Sequence, residues 1–365
     1  MSTLDRNSLF TPGPLNCSPQ VHAAMQRDIG SRETSFIETV ARIRRELLKI
    51  SGLSETDGYT AVPMQGSGTF AIESALTTMI GSDDRLLVME NGAYGKRMIE
   101  IAQRAGLCVE CLSAAPTEYH NIDALDALLK SQPELSHVAV VHCETTTGIL
   151  NPLSEIAAVV KANGRRLLVD AMSSFGALPI DFQTDAIECL IASPNKCLES
   201  APGFGFAIVK EESLRAAAGR CPSLSLDLHA QWAALEANGQ FRFTPPTHCL
   251  LAFDKALQLL ADEGGVSARY ARYQKRHQQL IAGMAEIGFT PVLAAEKQSP
   301  IITAFPLEGS PFSFDQVYEA LAEEGLIIYP GKLEKMDCFR IGNIGQLEET
   351  DINRLIQSIA RLQAT

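Results

Sequence analysis

Short apolar runs alternate with amphipathic stretches through the middle of this 365-residue chain. Helical spacing of apolar residues predicts helices at 69–80, 95–105, 121–131 and 153–163. The nearly continuous apolar runs predict strands at 59–64, 85–90, 107–112, 137–142, 165–171, 188–193 and 205–210. Strands that are apolar on both faces and alternate with helices are typical of a parallel sheet with helices on both sides. We therefore predict a doubly wound α/β domain.

The pattern changes after about residue 255. A long charged helical stretch, a second helix and a final helix alternate there with short apolar runs, at 266–288, 299–307, 313–325, 326–331, 338–345 and 349–363. Helices with a few strands are typical of a smaller α+β domain. We expect an N-terminal segment (1–15), a large domain (16–255) and a small C-terminal domain (256–365).

The charge of the chain narrows the classes of partner. Its formal net charge is −12, and acidic and basic residues are spread along the sequence. Such a chain disfavours nucleic acid or an anionic membrane surface as the main partner. The sequence has no run of 18 apolar residues that would predict a transmembrane helix. We expect small-molecule substrates instead.

The cysteines indicate a reducing compartment. All nine are scattered through apolar segments, and the start, MSTLDRNSLF, lacks the basic and apolar stretches of a signal peptide. We therefore expect no disulfides and a cytoplasmic location. Cys108 and Cys111 have the spacing of a redox pair, but the alternating pattern around them favours small core residues on a strand.

A glycine-rich turn at 66–69 joins the first of these predicted strands to a helix. Its sequence, Gly-Ser-Gly-Thr, lets backbone N–H groups and two hydroxyls approach an anion at the helix N-terminus. An ordinary strand-to-helix turn is an equally weighted alternative. The turn contains neither GxGxxG nor GK[S/T], which disfavours a dinucleotide-dependent dehydrogenase.

Two charged residues stand at the ends of successive predicted strands. Asp170 ends the run LLVD, and Lys196 follows an apolar run in LIASPNKCLE (190–199). Ligands of open α/β sheets bind beyond the carboxyl ends of the strands. A helix N-cap is the alternative for Asp170, and a solvated surface position is the alternative for Lys196. With the glycine-rich turn, they provide what pyridoxal phosphate needs: a carboxylate for the pyridinium nitrogen, an amine for the aldehyde and a helix N-terminus for the phosphate.

Arg340 is a further candidate. It lies between apolar residues in CFRIGNIG, before a glycine-rich turn. A guanidinium in that position suits a fork that binds a substrate carboxylate, and a structural salt bridge is the alternative.

The chain resembles the fold type I pyridoxal-phosphate aminotransferases over essentially its whole length. The matching segments, in order, are TPGPLNCSP (11–19), MQGSGTFAIE (64–73), NGAYGKRM (91–98), HCETTTGILNPL (142–153), VDAMSSFG (169–176), SPNKCLE (193–199), RFTPPTH (242–248) and FRIGNIG (339–345). They are similar to the alanine–glyoxylate and serine–pyruvate branch. Within it, ETTTG, DAMSSFG and NKC are most similar to enzymes that act on 2-aminoethylphosphonate and pyruvate.

This resemblance implies roles for residues around the cofactor, and no metal. Lys196 would form the Schiff base and act as catalytic acid and base, and Asp170 would pair with the pyridinium nitrogen. Tyr94 would stack on the ring, although a surface-turn tyrosine is the alternative, and Thr145 would reach the ring's phenolic oxygen.

The same resemblance implies how the phosphate is held. Ser67, Gly68 and Thr69 would bind it, joined by Thr244 of a partner subunit. It therefore implies a homodimer.

For substrates, the resemblance implies that 2-aminoethylphosphonate gives phosphonoacetaldehyde and pyruvate gives L-alanine, in a ping-pong reaction. Arg340 would bind the carboxylate. The phosphonate would share Arg340 or use a second cation, for which the candidates are Ser31 with Arg32, Arg97 and Arg242.

Three other functions are alternatives. Alanine–glyoxylate or serine–pyruvate transamination would use the same residues. A cysteine desulfurase needs a nucleophilic cysteine in a mobile loop, and none of the nine cysteines stands in an evident Gly/Ser-rich loop. A non-catalytic descendant is disfavoured because the lysine and the acid are both present.

Overall fold

The computed structural model describes residues 7–309, 312–331, 333 and 336–363. Its strands are β1 (Ser8–Leu9), β2 (Tyr59–Gln65), β3 (Arg85–Glu90), β4 (Cys108–Ser113), β5 (Leu135–Val141), β6 (Cys143–Glu144), β7 (Ile149–Leu150), β8 (Arg166–Asp170), β9 (Ile187–Ala192), β10 (Phe204–Lys210), β11 (Ile302–Pro306), β12 (Leu326–Ile327), β13 (Tyr329–Pro330) and β14 (Cys338–Gly342).

The α-helices cover both faces of the large sheet and much of the C-terminal part. They are α1 (Pro19–Ala24), α2 (Thr34–Ile50), α3 (Gly68–Met79), α4 (Ala93–Arg104), α5 (Ile122–Ser131), α6 (Leu153–Ala162), α7 (Glu211–Ala216), α8 (Leu228–Asn238), α9 (Thr247–Glu263), α10 (Gly265–Glu286), α11 (Phe314–Glu323) and α12 (Glu349–Gln363). Within the described ranges, no helix is long and apolar enough to cross a membrane.

The large sheet has seven strands in the order β2-β10-β9-β8-β5-β3-β4. Neighbours from β9 to β4 are parallel, whereas β10 is antiparallel to both β2 and β9. All seven begin and end within two residues of the predicted strands. The predicted α/β fold is therefore confirmed, and the reversed direction of β10 is a feature that the hydrophobic pattern did not predict.

Close packing of α3 on the sheet requires a glycine. A Cβ added at Gly205 of β10 would lie 2.6 Å from the Cβ of Ala71 on α3. Because Gly205 has no side chain, the N-terminal turn of α3 can approach β10 closely.

Cys108 and Cys111 do not lie in the core. Both are exposed, unpaired residues of β4, the edge strand of the sheet. The prediction of small core residues is wrong for them because an edge strand has a neighbour on one side only and its residues here are half-buried or exposed.

A second hydrophobic core lies in the C-terminal part. It contains apolar residues of α10, α11, α12, β11 and β14, together with Phe10 from the N-terminal segment. The short strand β1 pairs with β12 in parallel, and β11-β14-β13 form a three-stranded antiparallel sheet. The division of the chain at residues 15 and 255 stays a prediction.

Glu199 links the large sheet to α10 and to the loop after β14. It is buried, with φ of 54°, and its N–H donates to the carbonyl of Lys196 at 2.9 Å. Its carboxylate accepts hydrogen bonds from Tyr273 (2.6 Å), Arg272 (3.0 Å) and Gln346 (2.6 Å). Burial acts to raise the pKa of this carboxyl, but the charges of Arg269 and Arg272 outweigh it, so the pKa lies below its ordinary value.

Replacing Glu199 by alanine should destabilise the protein strongly. The substitution leaves the buried Arg269 and the hydroxyl of Tyr273 without this partner, and we expect the free energy of unfolding to fall by about 3 kcal/mol. Glu100→Ala, which removes an exposed i,i+4 pair with Arg104 on α4, should cost about 0.5 kcal/mol. Urea unfolding monitored by circular dichroism measures both, and equal losses would contradict the role given to Glu199.

Candidate active site

A cavity of about 240 Å³ lies beyond the carboxyl ends of β2, β3, β8 and β9. It brings together Lys196, Asp170, Tyr94 and the glycine-rich turn. The lining residues are Ser67, Gly68, Thr69, Ile72, Tyr94, Arg97, Met98, Asp170, Met172, Ser193, Asn195, Lys196, Pro202, Gly203 and Phe204. Six of the nine predicted site residues therefore share one cavity.

The N-terminal turn of α3 opens into this cavity. Its N-cap residue is Ser67, whose hydroxyl makes no capping hydrogen bond. The N–H groups of the first helical turn have no acceptor within the helix, and the helix dipole adds positive potential there. A Cβ at Gly68 would lie 2.4 Å from the sulfur of Met172, so with a larger residue the Met172 side chain would have to move. These features suit a phosphate group.

Asp170 is buried at the end of β8. One of its carboxylate oxygens accepts a hydrogen bond from the backbone N–H of Met172 at 2.9 Å. Burial raises the pKa of this carboxyl to about 6, even though the Met172 N–H and the charges of Lys196 and Arg97 act to lower it. A cationic ring nitrogen beside Asp170 would stabilise the charged carboxylate.

Lys196 reaches the cavity from the loop after β9. Its Nζ donates a hydrogen bond to the carbonyl oxygen of Gly13 at 3.2 Å. Gly13 has φ of 111°, and a Cβ there would lie 2.4 Å from the Cδ of Lys196. Gly13 therefore shapes the course of the lysine side chain. The sequence contained the segment TPGP, but nothing in the sequence pattern placed it against Lys196.

Tyr94 lies in the first turn of α4, and Arg97 lies one turn later. The guanidinium carbon of Arg97 is 5.0 Å from the centre of the Tyr94 ring, and its Nη1 is 3.4 Å from Thr69 Oγ1. Arg97 was one of the candidate cations for the phosphonate. Its position beside Thr69 brings its charge to the turn that suits a phosphate.

Arg340 and Thr145 contact each other outside the lining of this cavity. Arg340 is 1% exposed; its Nη1 donates to the carbonyl oxygen of Thr145 at 2.6 Å and its Nε donates to that of Pro330 at 2.8 Å. Burial lowers the pKa of this guanidinium, while nearby Tyr94 and Glu144 act in the opposite direction. Two of the five N–H donors are used in these bonds, which orient the fork. Neither Arg340 nor Thr145 lines the cavity itself.

Thr244 lies outside this cavity, in a second one of about 350 Å³. Ser31, Arg32 and Arg242, the other candidates for the phosphonate, line the second cavity with it. The adjoining Phe243 carbonyl accepts a hydrogen bond from Gln65, which directly precedes the glycine-rich turn. The two cavities are therefore neighbours on the surface of one chain.

The residues of the first cavity fit pyridoxal phosphate. They offer an amine, a buried carboxylate with a raised pKa, and a helix N-terminus whose N-cap hydroxyl is not used for capping. The sequence analysis missed two residues that shape this arrangement: Gly13, and Glu144, whose carboxylate holds the start of α4. The glycines of NGAYG were the one feature of the sequence that could have indicated Glu144.

Asp170→Asn should stabilise the cofactor-free protein at high pH. The folded-state pKa of about 6 lies above the ordinary value of 3.8, so the folded protein binds more protons than the unfolded chain between these values. The free energy of unfolding therefore falls as pH rises through that window, by about 2–3 kcal/mol in total. The Asp170→Asn variant avoids this loss. Compared with the unsubstituted protein, it should be more stable at pH 8 and equally stable near pH 4.

Thermal unfolding of the cofactor-free protein at both pH values measures the effect. Asp262→Asn, at an exposed position of α9, is the control and should change little at either pH. An Asp170→Asn protein without a stability gain at pH 8 would contradict the raised pKa.

Comparison with known proteins identifies the family of this chain. The family model "Aminotransferase class-V" matches residues 17–336. A 2-aminoethylphosphonate–pyruvate transaminase of Salmonella schwarzengrund is 46% identical over 354 residues, and one of Vibrio cholerae is 45% identical; each match covers 96% of both chains. The structure of alanine–glyoxylate aminotransferase from Nostoc sp. has a TM-score of 0.90 at 24% identity, covering 98% of this chain and 95% of that one, which supports the fold. This chain belongs to the class-V aminotransferase family.

Proposed function

We propose that this protein is a pyridoxal-phosphate-dependent aminotransferase that converts 2-aminoethylphosphonate and pyruvate to phosphonoacetaldehyde and L-alanine. The observation that carries the proposal is the cavity in which Lys196, Asp170 and the first turn of α3 meet. The choice of substrates is supported by the relatives that are 45–46% identical over nearly the whole chain and are named for this reaction.

The cofactor would be held by residues of one edge of the sheet. Ser67, Gly68 and Thr69 would bind the phosphate through hydroxyls and backbone N–H groups. When bound, the cofactor would supply an aldehyde that combines with amines and a protonated ring that withdraws electrons. Tyr94 would lie against the ring and Thr145 would reach its phenolic oxygen.

Two side chains would move or hold protons. Lys196 Nζ, once the substrate amine has displaced it, would remove a proton from the α-carbon of the substrate and return one in the reverse direction. Asp170 would keep a proton on the ring nitrogen by presenting a buried negative charge to it. Because one enzyme form accepts the amino group before the second substrate binds, the kinetics would be ping-pong.

Arg340 would bind the carboxylate of pyruvate and alanine. The carbonyl oxygens of Thr145 and Pro330 orient its guanidinium through two of its five N–H donors. A planar fork of this kind matches a carboxylate in two parallel hydrogen bonds.

The protein would act as a homodimer. Phe70 and Phe243 are large apolar side chains that remain about half exposed, at 51% and 44%, beside the two neighbouring cavities. Exposed apolar surface next to a site is typical of a contact region between subunits. Thr244, which lies outside the cavity of its own chain, would then reach the phosphate in the partner. The cytoplasmic location stays a prediction.

A visible absorption band of lysine-bound cofactor should disappear when 2-aminoethylphosphonate is added to the purified protein. The donor would replace Lys196 at the cofactor's aldehyde and give up its amino group to the cofactor, and pyruvate would then take that amino group, so pyruvate should restore the band. Alanine should convert the band as well, because it is the product of the second half-reaction. Stopped-flow absorbance measures each half-reaction separately.

Lys196→Ala should bind the cofactor without this band and without turnover, whereas Asp170→Ala should keep the band and lose most of the rate. A band that responds to alanine or serine but not to the phosphonate would assign the chain to alanine–glyoxylate or serine–pyruvate transamination. Absence of a band after addition of pyridoxal phosphate would refute the role of Lys196.

Hybrid dimers should reveal whether Thr244 acts across the interface. A dimer of one Lys196→Ala subunit and one Thr244→Ala subunit contains one intact site only if Thr244 serves the partner's cofactor. We expect such a hybrid to recover about half of the activity of the unsubstituted dimer, because one of two equivalent sites is complete. Each parent homodimer should be strongly impaired, and a hybrid no better than the Thr244→Ala parent would place this threonine in its own chain's site.

A further inference from the structure

Glu144 is a completely buried carboxylate that no step of the proposed reaction uses. It ends β6, and the short hairpin of β6 and β7, residues 143–150, carries the sequence CETTTGIL. One carboxylate oxygen accepts hydrogen bonds from the N–H and the hydroxyl of Thr146, at 3.1 and 2.6 Å. The other accepts from the backbone N–H groups of Tyr94 and Gly95, at 3.1 and 3.3 Å.

This pattern requires a carboxylate. All four partners of Glu144 are donors, and a carboxylate with two acceptor oxygens can accept from all of them. A glutamine would present its NH₂ group to one of the two pairs of donors. The negative charge also lies at the N-terminus of α4, where the N–H groups have no acceptor within the helix and the dipole favours an anion.

Glycines on either side of Tyr94 make this contact sterically possible. A Cβ at Gly92 would lie 2.5 Å from the Cδ of Glu144, and a Cβ at Gly95 would lie 2.6 Å from the Cβ of Glu90. The segment NGAYG can therefore close around the carboxylate. Thr146 extends the contact, since its hydroxyl also accepts a hydrogen bond from the N–H of Ala93 at 2.9 Å.

We infer that Glu144 is a positioning residue that sets the place of Tyr94 in the cofactor cavity, an inference that rests on the proposed function. The turn that contains Tyr94 donates backbone hydrogen bonds to Glu144, and Tyr94 lines the cavity. The adjoining Thr145 carbonyl holds the Arg340 guanidinium. Glu144, Thr145 and Thr146 of the hairpin thus hold both Tyr94, proposed for the cofactor, and Arg340, proposed for the substrate.

Glu144→Gln should weaken cofactor binding through Tyr94. The NH₂ group of the glutamine cannot accept a hydrogen bond. Either Tyr94 and Gly95 or the donors of Thr146 therefore lose their acceptor, and the start of α4 shifts. We expect the dissociation constant of pyridoxal phosphate, from spectroscopic titration of the cofactor-free protein, to rise about tenfold. In a Tyr94→Ala background the same substitution should change it less than about twofold, because coupled residues are not additive.

Amide hydrogen exchange gives a second measurement without cofactor. The amides of Tyr94 and Gly95, within the segment 93–97, should exchange about tenfold faster in Glu144→Gln than in the unsubstituted protein, because they lose their buried acceptor. Glu188→Gln is the matched control: Glu188 is a buried carboxylate at the amino end of β9, paired with Arg166 and Lys210 away from the cavity. It should change neither the exchange at 93–97 nor the cofactor affinity.

Two results would overturn the inference: an unchanged cofactor affinity with unchanged exchange, or a loss of affinity that persists undiminished in the Tyr94→Ala background. If Glu144→Gln does not fold, Glu144→Asp takes its place, since it keeps the charge but is one methylene too short to hold both segments. If the unsubstituted protein binds no cofactor, the proposed function fails, whereas the exchange measurement still decides whether Glu144 holds the start of α4.

Discussion

Compensation of buried charge is the constraint on which this structure depends. Two buried carboxylates accept several hydrogen bonds within the chain: Glu199 from α10 and the loop after β14, and Glu144 from backbone N–H groups and a hydroxyl. Asp170 differs, because the described part of the chain gives it one hydrogen bond, from Met172. Burial raises the pKa of Asp170 to about 6, and a ring cation beside it would favour the charged carboxylate. Asp170 therefore presents a buried carboxylate at the point where the cofactor is proposed to bind.

The topology of the sheet brings Asp170, Lys196 and the glycine-rich turn together. Parallel strands place their carboxyl ends at one edge, so Asp170 after β8 and Lys196 after β9 become neighbours. The antiparallel strand β10 lies between β9 and β2 and reverses the direction twice, which returns β2 to the direction of β9. The turn at 66–69 therefore opens on the same edge of the sheet as Asp170 and Lys196. A single cavity can then bind both the phosphate and the aldehyde of one ligand.

The sequence predicted the features that local patterns control. The seven strands, the glycine-rich turn, Asp170 and Lys196 follow from apolar runs and from where they end. Long-range contacts were beyond that reasoning: the approach of Gly13 to Lys196 joins residues 183 positions apart, and the exposure of Cys108 depends on β4 being an edge strand. Glu144 was missed because a glutamate at a strand end has no local mark of burial, and only the folded chain shows four donors around it.

The hairpin at 143–150 connects the two halves of the proposed chemistry. Glu144 fixes the turn of Tyr94, Thr145 orients Arg340, and a Cβ at Gly148 would lie 2.1 Å from the carbonyl oxygen of Ile302 on β11. The hairpin is therefore packed against the C-terminal sheet while it holds the start of α4. Proton transfer at a single carbon tolerates little misplacement of either group. Because one short segment carries both contacts, a shift of this hairpin would act on Arg340 and on the turn of Tyr94 together.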